Sequence, residues 1–469
     1  MAEIDFGRQS RKGMDELVAN VRNTNCFVEE QGPDGKGPLP VYADPGLTRW
    51  DSASYTGAAR GLQENGNTAL YGVLGNEVAK FDSSGAGATI GSLIGSGKVY
   101  MAINQAADPE IGIVTADNQY FILDTATDTV AINSDGDLPA VNSIDFLNGY
   151  FVFSSAENGE IWHTQPNDAG NINALSFATA ESDADGLVRV KSHKGFLFAL
   201  GQRSLEIWRD VGTTPFAFQP EDADIDIGCI AGHSVTEVAD GLAWVDHFGN
   251  VRLLKGGSPG IISTHSIVQD IEDLTDAERA DIEGWRYWYR GHEFYELKSA
   301  QWSRIYDVTT GVWHNGESLG YNRRLRQRFC LFNNRNIIGN EADGKLDFID
   351  KDSFTERGTN YVVTAISRPY HAFPNHVTCS SAEIDMITGV GNSDDTDPQV
   401  MFDVSRNGGK TWGVQRTRSL GAVGAYSQKI RFNNIGKGDE KGLTFRLSAS
   451  SPVMRGIIRA SGEFEELEA

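Results

Sequence analysis

The chain has 469 residues, 40% hydrophobic and 22% charged, with a formal net charge of −23. That length supports a large core and more than one domain, and the acidity argues against a general nucleic-acid binder, which gains affinity by neutralising phosphates with Lys and Arg. No apolar run approaches the ~20 residues of a membrane span, and the N-terminal MAEIDFGRQSRKGMDEL lacks the apolar core of a secretory signal, so no membrane insertion is expected.

Residues 1–45, which include EEQGPDGKGPLP, read as an irregular N-terminal arm. Strand-length apolar runs follow: TALYGVL (68–74), KVYMAIN (98–104), IGIVT (111–115), QYFILD (119–124), YFVFSS (150–155), GFLFALG (195–201), SLEIWRD (204–210), GLAWVD (241–246) and VRLLK (251–255). Most are rich in β-branched or aromatic residues, and turn clusters such as DTATDT and HFGN separate them. The 52 glycines follow no G-X-Y period and mark turns instead. Hairpins repeated in this way, without a clean repeat consensus, predict a β-propeller-like body over residues 46–355.

One segment, DIEDLTDAERADIEGW (270–285), carries a helix signature, a capping box from Thr275 to Glu278. Apart from Leu274 and Ile282 it is largely acidic, which predicts a short solvated helical insertion. Residues 356–469 predict an additional C-terminal β-sheet domain of about five strands, ending in a solvated acidic tail, EFEELEA. The fold class is therefore all-β. The four cysteines, Cys26, Cys229, Cys330 and Cys379, have neither disulfide-scaffold nor metal spacing and read as buried apolar residues made in a reducing cytoplasm.

Several fragments glance at chemistry. GSLIGSGK (91–98) has Ser92 and Val99 where a phosphate-binding loop needs Gly and Ser/Thr. GHSVT (232–236) ends in Thr236 where a nucleophile elbow has Gly. The carboxylates of EDADIDIG (221–228) and SDDTDPQ (393–399) lack calcium-loop spacing and read as loop solvation, with a weak calcium site as the alternative. Ser405, Asn407, Gly409, Thr411 and Trp412 fit the Asp-box pattern S-x-D-x-G-x-T-W, with Asn407 where Asp is usual. Such boxes occur in β-propeller sialidases, yet the motif holds no nucleophile, acid or base. It predicts a hairpin brace with Trp412 buried beneath the sheet. RRLRQR (323–328) is the one basic concentration noted, and Arg323, Arg324, Arg326 and Arg328 read as a solvated edge or an interface patch for an acidic neighbour or phosphate. No catalytic, cofactor-binding or metal-binding residue is predicted.

Taken in order, ADPGLTRW (43–50), ALYGVLGNEVAKFD (69–82), IDFLNGYFVFSS (144–155), GFLFALGQRSLEIWRDVG (195–212), YDVTTGVWHN (306–315), NEADGKLDFIDKD (340–352) and the C-terminal DVSRNGGKTWG with SQKIRFNNIGKG resemble the packaged-DNA stabilisation, or tail hub and nozzle, proteins of short-tailed bacteriophages. The likeness spans about residues 43 to 460 and rests on co-linear order. It implies a structural virion protein, made in the bacterial host cytoplasm and assembled as a homohexameric ring of the short tail. It implies a portal-adaptor above, tailspikes or fibres outside, a needle or plug below, and double-stranded DNA passing through the lumen without sequence-specific binding. The alternatives are a fibre-attachment or distal tail component, and a carbohydrate-binding or glycan-cleaving propeller.

Overall fold

The computed structural model describes residues 2–7, 10–12, 20–30, 39–180, 186–221 and 225–467. Alternating apolar residues form antiparallel hairpins, closed by residues that tolerate positive φ, such as Asn118, Asp128, Asn148 and Asn167. The hairpins assemble into seven four-stranded propeller blades among the described residues, five as separate sheets and two as parts of a ten-stranded and a six-stranded sheet. Blades one to six run from Ala59–Asn65 to Gly87–Ser92, Tyr100–Ile103 to Thr129–Ile132, Val141–Leu147 to Asp168–Thr179, Leu187–His193 to Phe218–Pro220, Thr236–Val238 to Ser258–Ile261, and Glu283–Tyr289 to Val312–Gly316.

Blade seven takes three strands from Arg326–Phe332, Arg335–Asn340 and Leu346–Asp350. Its fourth strand, Gly46–Arg49, comes from near the start of the chain and pairs antiparallel with Leu346–Asp350. The ring is thus closed by a strand from each end of the propeller sequence. Blades seven and one approach so closely that a Cβ on Gly339 would lie 2.2 Å from the Cβ of Ala59, which only glycine allows. A separate apolar cluster fills each gap between neighbouring blades, such as Tyr120, Phe151, Phe153 and Trp162 between blades two and three.

The second body is a β-sandwich built from both ends of the chain. One sheet orders as Cys26–Val28, Val41–Ala43, Gly456–Leu467, His376–Met386 and Ile430–Lys437, with Ala2–Glu3 also on Gly456–Leu467. The other runs Asn20–Thr24, Val363–Ile366, Thr444–Ala449, Gln399–Ser405 and Arg416–Ser419, and reaches blade six through a parallel pairing of Thr24 with Asn315. Their shared core joins N-terminal Ile4, Phe6, Cys26 and Val28 to Val377, Phe402, Phe432 and Phe445.

Three expectations change here. The N-terminal residues are not an irregular arm at 20–28 and 41–43: these segments are paired strands, and Phe27 inserts its ring against Tyr289 and Phe294 at 5.9 and 5.4 Å. Much of EEQGPDGKGPLP lies outside the described residues. The supposed acidic tail is strand through Leu467, with Phe464 stacked on Tyr370 at 3.8 Å while Glu463 and Glu465 face outward. The helical segment is two helices, His265–Glu272 and Asp276–Ala280. The capping box at Thr275 starts the second, and Glu283 begins a strand. The insertion is not merely solvated: Ile267, Ile271 and Leu274, spaced to share one face, are buried against Trp302 and Trp313.

Candidate functional site

The Asp-box stretch follows the strand Gln399–Ser405. Ser405 Oγ accepts hydrogen bonds from the amides of Gly409 at 2.8 Å and Asn407 at 3.4 Å. Asn407 Oδ1 accepts from the Thr411 amide, and its Nδ2 donates to Thr411 Oγ1, both at 2.9 Å. Each side chain is consumed in bracing the turn.

Trp412 is only half-buried, contrary to expectation. Its ring lies under the guanidinium of Arg446 at 4.3 Å, and Arg446 is in turn held by Asp403. A cation–π contact replaces burial, so Trp412→Ala should cost about 1 kcal/mol rather than the ~3–5 of a fully buried ring. Urea denaturation of the variant measures this.

The arginine run is not a surface patch. Arg324 and Arg326 are buried, and Arg323 and Arg328 are half-buried. Successive arginines point to different partners because the segment is extended and bulges at Arg328, whose φ is 52°. Arg323 pairs with Glu341 at 2.6 Å and Arg328 with Glu283 at 3.0 Å. Arg326 donates from Nε and Nη2 to Glu296 at 2.9 and 2.5 Å. Arg324 bridges Asp44 at 2.8 Å and Glu356 at 2.7 Å.

Asp44 also meets His314 at 3.1 Å and accepts at its carbonyl from the Tyr361 hydroxyl. Burial alone would raise the Asp44 carboxyl, but His314 and Arg324 overcome it and hold the group below its ordinary range. Asn25 completes the junction, donating to the carbonyls of Glu317 at 2.9 Å and Val362 at 2.8 Å. This network ties the N-terminal segment, blades six and seven and the sandwich together. Its partners lie up to 337 residues apart, and those of Arg324 up to 280, which is why the run looked solvated.

First strands of the blades line an axial cavity of about 530 Å³, with contributions from six of the seven blades. Arg189 lies 3.7 Å from the Tyr100 ring centre, and His233 stacks on the same ring at 4.0 Å. Burial, with Arg328, Lys98 and Arg189 nearby, pushes His233 well below its ordinary pKa, so it is neutral. Lys191 is bound to Asp145 at 2.9 Å. Burial pushes the lining thiol of Cys330 up to about 12, leaving it protonated and unreactive at neutral pH.

The chemical fragments resolve structurally. Lys98 pairs with Asp281 at 2.8 Å. Ser234 donates to the Ala231 carbonyl at 2.7 Å and accepts from the Val245 amide at 3.0 Å. Asp395 accepts from the Asp397 amide at 3.2 Å within its loop, Asp397 accepts from the Ser419 hydroxyl on the neighbouring strand, and part of EDADIDIG lies outside the described residues. Among the described residues no group of His, Cys, Asp and Glu could hold a metal ion, and no helix is long and apolar enough to cross a membrane.

Residues 22–354 match the family model described as Bacteriophage P22 Gp10, beta-propeller, and residues 371–463 match Bacteriophage P22 Gp10, beta-sandwich. The chain belongs to the bacteriophage P22 Gp10 family. Tail hub protein gp10 of Salmonella phage P22 is 22% identical over 435 residues, covering 87% of this chain and 88% of that protein. A streptogramin B lyase structure aligns with TM-score 0.46 and 12% identity over 66% of this chain and 98% of its own. The WD40 β-propeller domain of Doa1 aligns with TM-score 0.43 and 9% identity over 66% and 97%. Membership of the Gp10 family makes the chain a structural phage tail protein, not an enzyme. The all-β reading, with a propeller body and a second β domain, holds.

Sequence reasoning missed the junction residues Asp44 and Asn25 and the axial stack of Tyr100, Arg189 and His233, which leave no local pattern. It also missed a legible signal: residues 404–437 hold seven Lys and Arg and no Asp or Glu.

Proposed function

We propose that the protein forms the hub ring of a short phage tail, six copies around the DNA channel. In this reading the ring sits below a portal-adaptor, carries tailspikes or fibres on its outside and is closed by a needle or plug below. The observation that carries it is the match of both bodies, in order, to the P22 Gp10 models, together with a tail hub relative aligned along most of both chains.

The net charge of −23 suits a conduit. A basic wall would bind the DNA backbone and slow its passage, whereas carboxylates repel phosphates over the ~8–10 Å screening distance of physiological salt. The lumen should therefore be rich in Asp and Glu. The ring completes a channel that a plug then closes, so particles assembled without the protein should package DNA and leak it. Nuclease-protected DNA per particle, compared with and without the protein, tests this. Full retention in its absence would overturn the reading, and so would a copy number other than six around the tail axis.

A further inference from the structure

Charge along this chain is segregated. Residues 99–188 contain fourteen Asp and Glu and no Lys or Arg, whereas residues 404–437 contain seven Lys and Arg and no Asp or Glu. The first stretch makes blades two and three; the second makes one edge of the sandwich, where Arg416–Ser419 and Ile430–Lys437 end their two sheets side by side.

That sandwich edge is closed to strand addition. Arg416 donates to the Asn433 carbonyl at 2.6 Å and Arg418 to the Arg431 carbonyl at 3.0 Å, so side chains occupy acceptors that an added strand would use. What remains outward is basic and partly apolar. Lys410, Lys429 and Lys437 are exposed, and Val414, Val423 and Tyr426 are 89, 74 and 76% exposed. Duplex DNA would satisfy the cations but cover none of those apolar groups. An acidic protein face with its own exposed apolar residues satisfies both.

Blades two and three present such a face. On their outer strands and the loop after Ile132, Asp137 and Asp168 are exposed, with Ile132 at 54% and Leu175 at 63%. The two apolar residues stand together, because the Asp135 and Asp137 loop after Ile132 accepts from the amides of Ile172 and Ala174 on the strand bearing Leu175. In a ring of seven blades, the point opposite blade six lies between blades two and three. The sandwich is attached at blade six, so the basic edge and the acidic blades stand on opposite sides of one molecule and cannot meet within it. A two-fold contact would set the basic edge against itself. A head-to-tail contact pairs unlike surfaces and propagates around a closed ring.

The geometry points to a docking surface for a second copy of this chain: the basic sandwich edge of one subunit seats on the outer face of blades two and three of the next. This rests on the ring reading and names the surfaces that make the ring. The test uses particles produced with variant chains, reading copies of the protein per tail by quantitative mass spectrometry and neighbours by carbodiimide cross-linking of lysines to carboxylates.

Lys429→Glu/Lys437→Glu and Asp137→Lys/Asp168→Lys alter exposed groups away from the cores. Each pair should lower incorporation about tenfold or more, as like charges face each other. Combining both pairs in one chain should restore it, and wild-type particles should yield Lys429 or Lys437 links to Asp135, Asp137 or Asp168. Normal rings from either charge-reversed variant would overturn the docking surface while leaving the ring reading intact. So would links from Lys429 only to a different tail protein, or protection of these lysines by DNA alone. Absence of any ring at the tail axis in wild-type particles would overturn both.

Discussion

Replacing Arg326 with methionine is expected to cost about 3–5 kcal/mol of folding stability. Arg326 and Glu296 are both essentially without solvent contact, at 1 and 0% exposure. The guanidinium donates twice to Glu296, once to the Tyr287 hydroxyl at 3.1 Å, and lies over the Tyr287 ring at 4.9 Å. Methionine fills much of the volume but leaves the Glu296 carboxylate buried without its cation, and that uncompensated charge dominates the loss. Arg326→Met combined with Glu296→Leu should recover most of it, because two apolar side chains need no mutual neutralisation. Urea unfolding midpoints of the two variants separate these cases. A single variant within about 1 kcal/mol of wild type would mean that the pair behaves as a hydrated surface bridge.

Residues 356–469 produced alone are expected not to fold. The sandwich lies mostly in this segment, yet its core includes Ile4, Phe6, Cys26, Val28, Val41 and Ala43. Cutting these away removes the Cys26–Val28 and Val41–Ala43 strands from one sheet and Asn20–Thr24 from the other. At about 1.5–3 kcal/mol per buried large apolar side chain, the missing residues contribute on the order of the ~5–15 kcal/mol that holds a typical domain together. Far-UV circular dichroism and amide proton dispersion of the fragment measure the outcome. A cooperative melt of the fragment alone would contradict the shared core. Restoration of the melt by adding a peptide of residues 2–45 would support it directly.

These two cases mark where sequence legibility ended. Hairpins were visible because runs such as YFVFSS and GFLFALG are bounded by residues that accept positive φ, and that signal is local. The capping box at Thr275 was visible for the same reason, although it starts only the second helix, and the face that docks the first is carried by Ile267 and Ile271. The number of blades was not visible, since each blade packs with its own apolar residues and no common consensus survives. Nor could Arg324 be read as buried, because its neutralising partners Asp44 and Glu356 lie on other segments of the chain. Trp412 misled in the other direction: an aromatic ring at the end of a turn motif was assigned to the core, whereas the Arg446–Asp403 pair beside it offered a half-exposed seat. The division of charge between residues 99–188 and 404–437 was legible in the sequence, but only the fold shows that the two stretches lie on opposite sides.

The closing strand of the propeller also sets a schedule for synthesis. Gly46–Arg49 leaves the ribosome first, and its partner Leu346–Asp350 follows roughly 300 residues later. At about 5–20 residues per second, that is a wait of ~15–60 s. Cys26–Val28 and Val41–Ala43 can pair with each other early, but Val41 must wait still longer for Ile457. Throughout that interval the nascent chain carries an unmatched strand at one end and a growing row of finished blades at the other, each blade able to pack on its neighbour as it emerges. The ring therefore stays open until the seventh blade arrives, and a ribosome that stalls within blade six releases an arc with two exposed flanks. In a host cell making many copies at once, such arcs can meet one another, so the pace of elongation through the second half of the message becomes a determinant of how many subunits close correctly.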